Sequence, residues 1–237
     1  MSDLPIEKVA VITGASRGIG AALVSGYRKR GWNVVANSRT IDPSTGPGIV
    51  TVAGDIADVA DEVIRAAVDN FGRVDTLVNN AGVFVAKPFT EYTADDFDHV
   101  VRVNLAGFFR ITQRAVARMI EQGTGGHVVQ VTTSLVDHAN SAVPSVLASL
   151  TKGGLQSATK SLAIEYATSG VRVNAVSPGI IETPMHAPET HAALAALHPV
   201  GHIGSTDDIV DAVLYLEDAA FVTGEILHVD GGQSAGH

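Results

Sequence analysis

Apolar, β-branched runs alternate with amphipathic stretches along the whole chain, the pattern of a parallel sheet covered by helices on both faces. Seven runs read as strands: Val9 to Thr13, Asn33 to Asn37, Ile49 to Ala53, Thr76 to Asn79, Val128 to Thr132, Val171 to Val176 and Glu225 to Val229. Between them, Ile19 to Arg30, Asp58 to Asn70, Ala94 to Ile120, Leu147 to Thr168 and Ser205 to Glu217 read as helices. In the third of these, Phe97, Val100, Val101, Asn104, Phe108, Ile111 and Ala115 recur at three- and four-residue spacing. No internal repeat and no linker rich in Pro, Gly or Ser divides the 237 residues, so a single domain over 1–237 is expected.

The first strand runs directly into Thr13-Gly14-Ala15-Ser16-Arg17-Gly18-Ile19-Gly20 and then into a helix. Three glycines in seven positions let the backbone turn tightly, approach a pyrophosphate without a Cβ in the way, and pack helix against strand. The helix N-terminus offers unpaired N–H groups and the positive end of its dipole to an anion. With the strand before and the helix after, nucleotide binding is favoured over a plain corner.

Composition excludes several classes. A formal charge of −9 without a basic cluster argues against a nucleic-acid surface. The chain has no cysteine, which removes disulfides, thiolate metal sites and cysteine nucleophiles and fits a reducing compartment. The polar stub Met1-Ser2-Asp3 carries no signal pattern and no apolar run approaches membrane-spanning length, so a soluble cytoplasmic protein with no membrane partner is expected.

Read together, separated motifs make a specific resemblance. Thr13 to Gly20 matches TGxxxGxG, and Asn79-Asn80-Ala81-Gly82, Asn104, Lys152, Ser177-Pro178-Gly179 with Thr183, and Thr223-Gly224-Glu225 to Asp230-Gly231-Gly232 follow in the same order. The chain resembles, over essentially its whole length, the short-chain dehydrogenase/reductase family, most closely its bacterial 3-oxoacyl-[acyl-carrier-protein] reductase branch. The resemblance implies an α/β fold, a Rossmann-type doubly wound parallel sheet of seven strands, with a nicotinamide cofactor, a small-molecule substrate and a homo-oligomer, tetramer or dimer, built on the long fourth and fifth helices. It also implies a mobile substrate lid at about 183–204.

An acid after the second strand would bond the ribose 2′-hydroxyl and repel a 2′-phosphate; this chain has Ser38-Arg39 there, and Arg17 in the glycine turn lies within reach of the same pocket. NADP(H) is therefore expected over NAD(H). The other cofactor-binding candidates are Gly14, Ser16, Gly18, Ile19, Gly20, Asn80, Ala81, Gly82 and Lys152, with Pro178, Gly179, Ile181 and Thr183 resembling the loop that meets the nicotinamide carboxamide. Asp55-Ile56 resembles an adenine-contacting pair, or caps the following helix, or does both. Asn104 lies on an apolar stripe, where an amide is costly unless bonded. The resemblance gives it a water leading to the active-site lysine; a satisfied structural amide is the alternative.

One departure outweighs these matches. The family carries Tyr-x-x-x-Lys, one helical turn apart, so that the lysine binds the nicotinamide ribose and lowers the tyrosine pKa for proton transfer. Counting back from Lys152, the tyrosine position is Ala148. The family's serine falls at Thr133, with Ser134 beside it, so the catalytic candidates are Asn104, Thr133, Ser134 and Lys152. Ser145, Ser149 and His138 are candidate substitutes for the phenol, against readings as cap, packing residue and solvated loop residue. His186, His191, His198 and His202 crowd the segment after Thr183; without a completing ligand pattern a lid is favoured over a metal site, with Met185, Leu194 and Leu197 as its apolar underside. Two functions stand: hydride transfer between NADP(H) and a small carbonyl or alcohol, or a catalytically weak NADP(H)-binding subunit or sensor.

Overall fold

The computed structural model describes residues 7–44 and 46–236; the N-terminal stub and the extreme ends of the expected domain lie outside them. Seven strands form one sheet: β1 (Val9–Thr13), β2 (Asn33–Ser38), β3 (Ile49–Ala53), β4 (Thr76–Asn79), β5 (Gly126–Val131), β6 (Val171–Pro178) and β7 (Ile226–Val229). Every pairing is parallel, and the spatial order is β3-β2-β1-β4-β5-β6-β7. The helices are α1 (Gly18–Lys29), α2 (Ile56–Phe71), α3 (Ala94–Val101), α4 (Phe108–Glu121), α5 (Val146–Glu165), α6 (His191–Ala195) and α7 (Thr206–Asp218).

Strand alternation explains the two layers. Val9 and Val11 of β1 join one core with α2, α4 and Ala163 of α5, while Ala10 and Ile12 join the other with α1 and α7. Successive β side chains point to opposite faces, so a strand covered on both sides must be apolar throughout, as β1 is.

Between β1 and β4 the chain reverses its direction of travel across the sheet, and a crevice opens at the C-terminal ends of the strands. Thr13 closes the base of that crevice. Its hydroxyl accepts the N–H groups of Asn80 at 3.1 Å and Ala81 at 3.0 Å, and the Asn80 amide returns bonds to the carbonyls of Thr13 and Gly14 at 3.0 and 3.1 Å.

The helix expected from Ala94 to Ile120 is not continuous. Arg102–Gly107 is a π-helical segment between α3 and α4. This widened turn buries Val103, Asn104 and Gly107, while Phe97, expected on the same stripe, is exposed. The helix expected to reach Thr168 stops at Glu165, where a 3₁₀ turn, Ala167–Ser169, ends at Gly170 in the left-handed region (φ 73°). Other boundaries move by one to two residues: α2 starts at Ile56 because the Asp55 carboxylate accepts the Ala57 N–H at 2.9 Å, and β6 runs on to Pro178 through its pairing with β7. Among the described residues no helix is long and apolar enough to cross a membrane.

Candidate functional site

The crevice is a cleft of about 740 Å³, a size suited to a small-molecule ligand. Strand order divides its residues into two halves. The ends of β1, β2 and β3 bring Gly14, Ser16, Arg17, Gly18, Ile19, Gly20, Ser38, Arg39, Asp55 and Ile56 to one half. The ends of β4, β5 and β6, with α5, bring Asn80, Ala81, Gly82, Thr133, Ser134, Lys152, Pro178, Gly179, Ile181 and Thr183 to the other.

The glycine turn is tight against its surroundings. A Cβ on Gly20 would lie 2.2 Å from the Gly14 carbonyl oxygen, and one on Gly14, whose φ is +66°, 2.9 Å from Ala81 Cα. Only glycine fits there, and the α1 N-terminus, which has no side-chain cap, opens on the cleft. Arg17 and Arg39 are exposed and make no ion pair among the described residues, and the Ser16 and Ser38 hydroxyls lie 2.9 Å apart. Asp55 is both a helix cap and a cleft residue, and it accepts a hydrogen bond from Arg102 Nε at 3.2 Å.

In the other half, Lys152 Nζ donates to the Val131 carbonyl at 2.6 Å and lies where a Cβ on Gly82 would be 2.9 Å away. Burial lowers the Lys152 ammonium to about 8. Ala148, one turn earlier on α5, lines the cleft and offers no proton. Asn104 does not line the cleft. It is buried behind it, its Oδ1 accepting the Val83 N–H at 2.9 Å and its Nδ2 donating to the Val83 carbonyl and the Thr151 hydroxyl, both at 3.1 Å. The inward turn of the π segment thus clamps the loop that follows Asn80–Gly82.

Thr133 caps a 3₁₀ turn, accepting the Leu135 N–H at 3.4 Å, and Ser134 donates to Gln233 Oε1 at 2.6 Å. The three proposed stand-ins for the phenol lie elsewhere. Ser149 donates to the Leu135 carbonyl at 3.1 Å, Ser145 is the buried residue before α5, and neither of them nor His138 is among the cleft residues.

Of the histidines after Thr183, His186 lines the cleft, together with Met185, Leu194 and Leu197. His198 is buried beneath them: its Nδ1 donates to the Leu194 carbonyl at 3.1 Å and its Nε2 accepts the Ile180 N–H at 3.0 Å. Among the described residues no group of three or more His, Asp or Glu side chains is placed to hold a metal ion. Sequence reasoning missed Phe84, Val143 and Gln233 as cleft residues; Gln233 arrives from the C-terminal segment, 99 positions from Ser134, and no local pattern announces it.

Comparison with known proteins agrees with this architecture. Residues 14–234 match the family model described as enoyl-(acyl carrier protein) reductase. The chain is 34% identical over 254 residues to the 3beta-hydroxysteroid dehydrogenase 1 of Eggerthella lenta, covering 96% of this chain and 94% of that one. Among solved structures it resembles ElxO with NADP bound, at a TM-score of 0.89 and 29% identity over 97% of this chain and 100% of that one. It also resembles the 3-ketoacyl-(acyl-carrier-protein) reductase of Brucella melitensis complexed with NADH, at a TM-score of 0.88 and 32% identity over 97% and 99%. The chain belongs to the short-chain dehydrogenase/reductase family of oxidoreductases.

Proposed function

We propose that the protein is an NADP(H)-dependent reductase or dehydrogenase that moves a hydride between the nicotinamide and a small, uncharged, apolar carbonyl compound or its alcohol. The observation that carries this reading is the joining, in one cleft, of a glycine turn flanked by Arg17 and Arg39 with a desolvated Lys152 ammonium. The α1 N-terminus would hold the pyrophosphate, and the Arg17 and Arg39 guanidiniums would hold the adenosine 2′-phosphate, which no acid at the end of β2 opposes. NADP(H) and NADH in similar structures support a dinucleotide without fixing which.

The cofactor supplies the hydride chemistry when bound. The chain's own residues position and polarise. Lys152 would hold the ribose hydroxyls and add positive charge, and Thr133, with Ser134 beside it, would orient the carbonyl oxygen. The Pro178 to Thr183 loop fixes the ring face. Asn104 acts at one remove by holding the Val83 main chain. The segment at about 183–204 is the lid of a single domain, and Phe84, Val143, Met185, Leu194 and Leu197 give the substrate an apolar enclosure. Exposed Val146, Leu150 and Ile164 on α5 and Phe109 on α4 support a homodimer or tetramer, and a cytoplasmic location remains part of this reading.

Ala148 favours a second reading, a cofactor-binding subunit or sensor of low activity. Binding titrations test the shared part. NADPH should bind more tightly than NADH, and Arg39→Ala should remove most of the difference, a charge-assisted contact being worth roughly 1.5–3 kcal/mol. Equal dissociation constants in the unaltered protein would refute the preference.

A further inference from the structure

The cleft lacks the phenol but not every acid, and the strand order sorts those it has. Arg17, Arg39 and Asp55 belong to the half built by β1, β2 and β3. Of the other cleft residues, those with an ionisable side chain are Lys152 on α5 and His186 in the segment after β6. Lys152 has a role in the reading above, at the cofactor ribose, and its ammonium also bonds the Val131 carbonyl at 2.6 Å and lies against Gly82, which leaves His186 without an assigned role. The hydroxyls there are far weaker acids, and Ser134 and Thr132 give their hydrogens to Gln233 Oε1 and the Val176 carbonyl.

His186 has a fixed ring. Its Nδ1 lies 3.0 Å from the Ile181 carbonyl oxygen, and a carbonyl only accepts, so Nδ1 carries hydrogen. That bond persists whether the ring is neutral or protonated, so only Nε2 changes state. The residue itself is held by the lid, His191 Nε2 donating to the His186 carbonyl at 3.2 Å.

We propose that His186 is the proton donor that takes the place of the missing phenol. In carbonyl reduction the hydride would leave the C4–H bond of the reduced nicotinamide with its electron pair, oxidising the ring, and form the new C–H bond while the carbonyl π pair moves to oxygen. Imidazolium Nε2–H protonates that oxygen, forming O–H and leaving the neutral ring, which solvent water reprotonates. Oxidation of the alcohol runs the same transfers backwards. Ile181, the hydrogen-bond partner of this ring, is itself in the loop proposed to meet the nicotinamide, so the ring is tied directly to that loop.

The proposal rests on the reductase reading, and one experiment separates the two. NADPH oxidation with 4-nitrobenzaldehyde is followed in the unaltered protein and in His186→Ala, alongside NADPH titrations of both. Loss of a general acid lowers turnover typically ~10²–10⁴-fold, and the variant should fall in that range while binding NADPH within about twofold of the parent, with free imidazole in the buffer restoring part of the rate. Turnover that survives His186→Ala overturns the donor assignment alone and returns the proton to Lys152. A loss that imidazole leaves unrepaired, or that is confined to KM, makes His186 a packing residue of the lid and equally overturns it. Tight NADPH binding by an unaltered protein that reduces no aldehyde overturns both readings together.

Discussion

Glu217→Ala removes an acceptor that gathers donors from three elements. Its Oε2 accepts from the Tyr27 hydroxyl of α1 at 3.0 Å, the Thr76 hydroxyl of β4 at 2.7 Å and His127 Nδ1 of β5 at 3.2 Å. The Glu217 side chain is 7% exposed and that of His127 2%. An unsatisfied buried donor costs about 1–3 kcal/mol, and three such costs do not add, because the truncated side chain admits water. With His127 neutral, what Glu217→Ala leaves behind is a set of unsatisfied buried donors and no unpaired charge, and the loss expected here is about 2–4 kcal/mol. Trp32, the chain's one tryptophan, packs against Tyr27 with ring centroids 5.1 Å apart, so its fluorescence reports on this region during urea unfolding. With a urea dependence of roughly 2–3 kcal/mol per molar, the midpoint should fall by about 1–2 M at fixed protein concentration.

The pH dependence has a definite sign. Burial pushes His127 below the ordinary imidazole range, so it folds neutral. Burial opposes the Glu217 charge as well, but hydrogen bonds from His127, Thr76 and Tyr27 hold its carboxyl below the usual value. Both folded values are depressed, so the unfolded chain takes up more protons on acidification. Stability is full above about pH 6.5, the ordinary imidazole value, declines below it through His127, and declines further through Glu217 in the carboxylate range. The gap between parent and Glu217→Ala should therefore narrow as pH falls through that range. A midpoint within about 0.3 M of the parent at neutral pH, a change of under roughly 1 kcal/mol, would refute the hub.

Other consequences concern the cleft. Gly20→Ala drives a methyl into the Gly14 carbonyl; it should cost about 1–3 kcal/mol of stability and weaken NADPH binding at least tenfold, roughly 1.4 kcal/mol, read by thermal unfolding and fluorescence titration. Because Lys152 titrates at about 8, NADPH affinity should drop as pH rises through that value, and Lys152→Met should abolish the step; a parent curve flat across it would contradict the ribose role. Ala148→Tyr should raise aldehyde turnover and make His186 dispensable, and a double variant as slow as His186→Ala would count against both placements. Light scattering at micromolar concentration should give a dimer or tetramer, against which a monomeric mass would stand.

The legible parts of the fold were those governed by local chemistry. β1, β3 and β4 could be read to the residue because each is an apolar run ended by a glycine or asparagine turn. The glycine turn, the Asp55 cap and the absence of an acid after β2 are likewise short-range signals. The π segment at Arg102–Gly107 was hidden because residues at three- and four-residue spacing run through it in the sequence without a break. Distant pairings were hidden too: Glu217 meets Tyr27 across 190 positions and Ser134 meets Gln233 across 99. The proton-donor candidates read near Lys152 by helical spacing, Ser145 and Ser149, fall outside the cleft, and His186 enters it from 34 positions further along the chain through its loop conformation. Spacing along one helix cannot reveal a group brought in by another segment.

Hydride transfer itself is the central claim, and isotopic labelling tests it most directly. NADPH carrying deuterium at one or the other C4 position is mixed with excess enzyme and 4-nitrobenzaldehyde, and the alcohol is analysed by mass spectrometry. A fixed ring face predicts deuterium on the new carbinol carbon from one labelled cofactor and none from the other, even if turnover is slow. Saturating NADPH binding with no deuterium in the product from either cofactor would contradict the account and leave a cofactor-binding protein in its place.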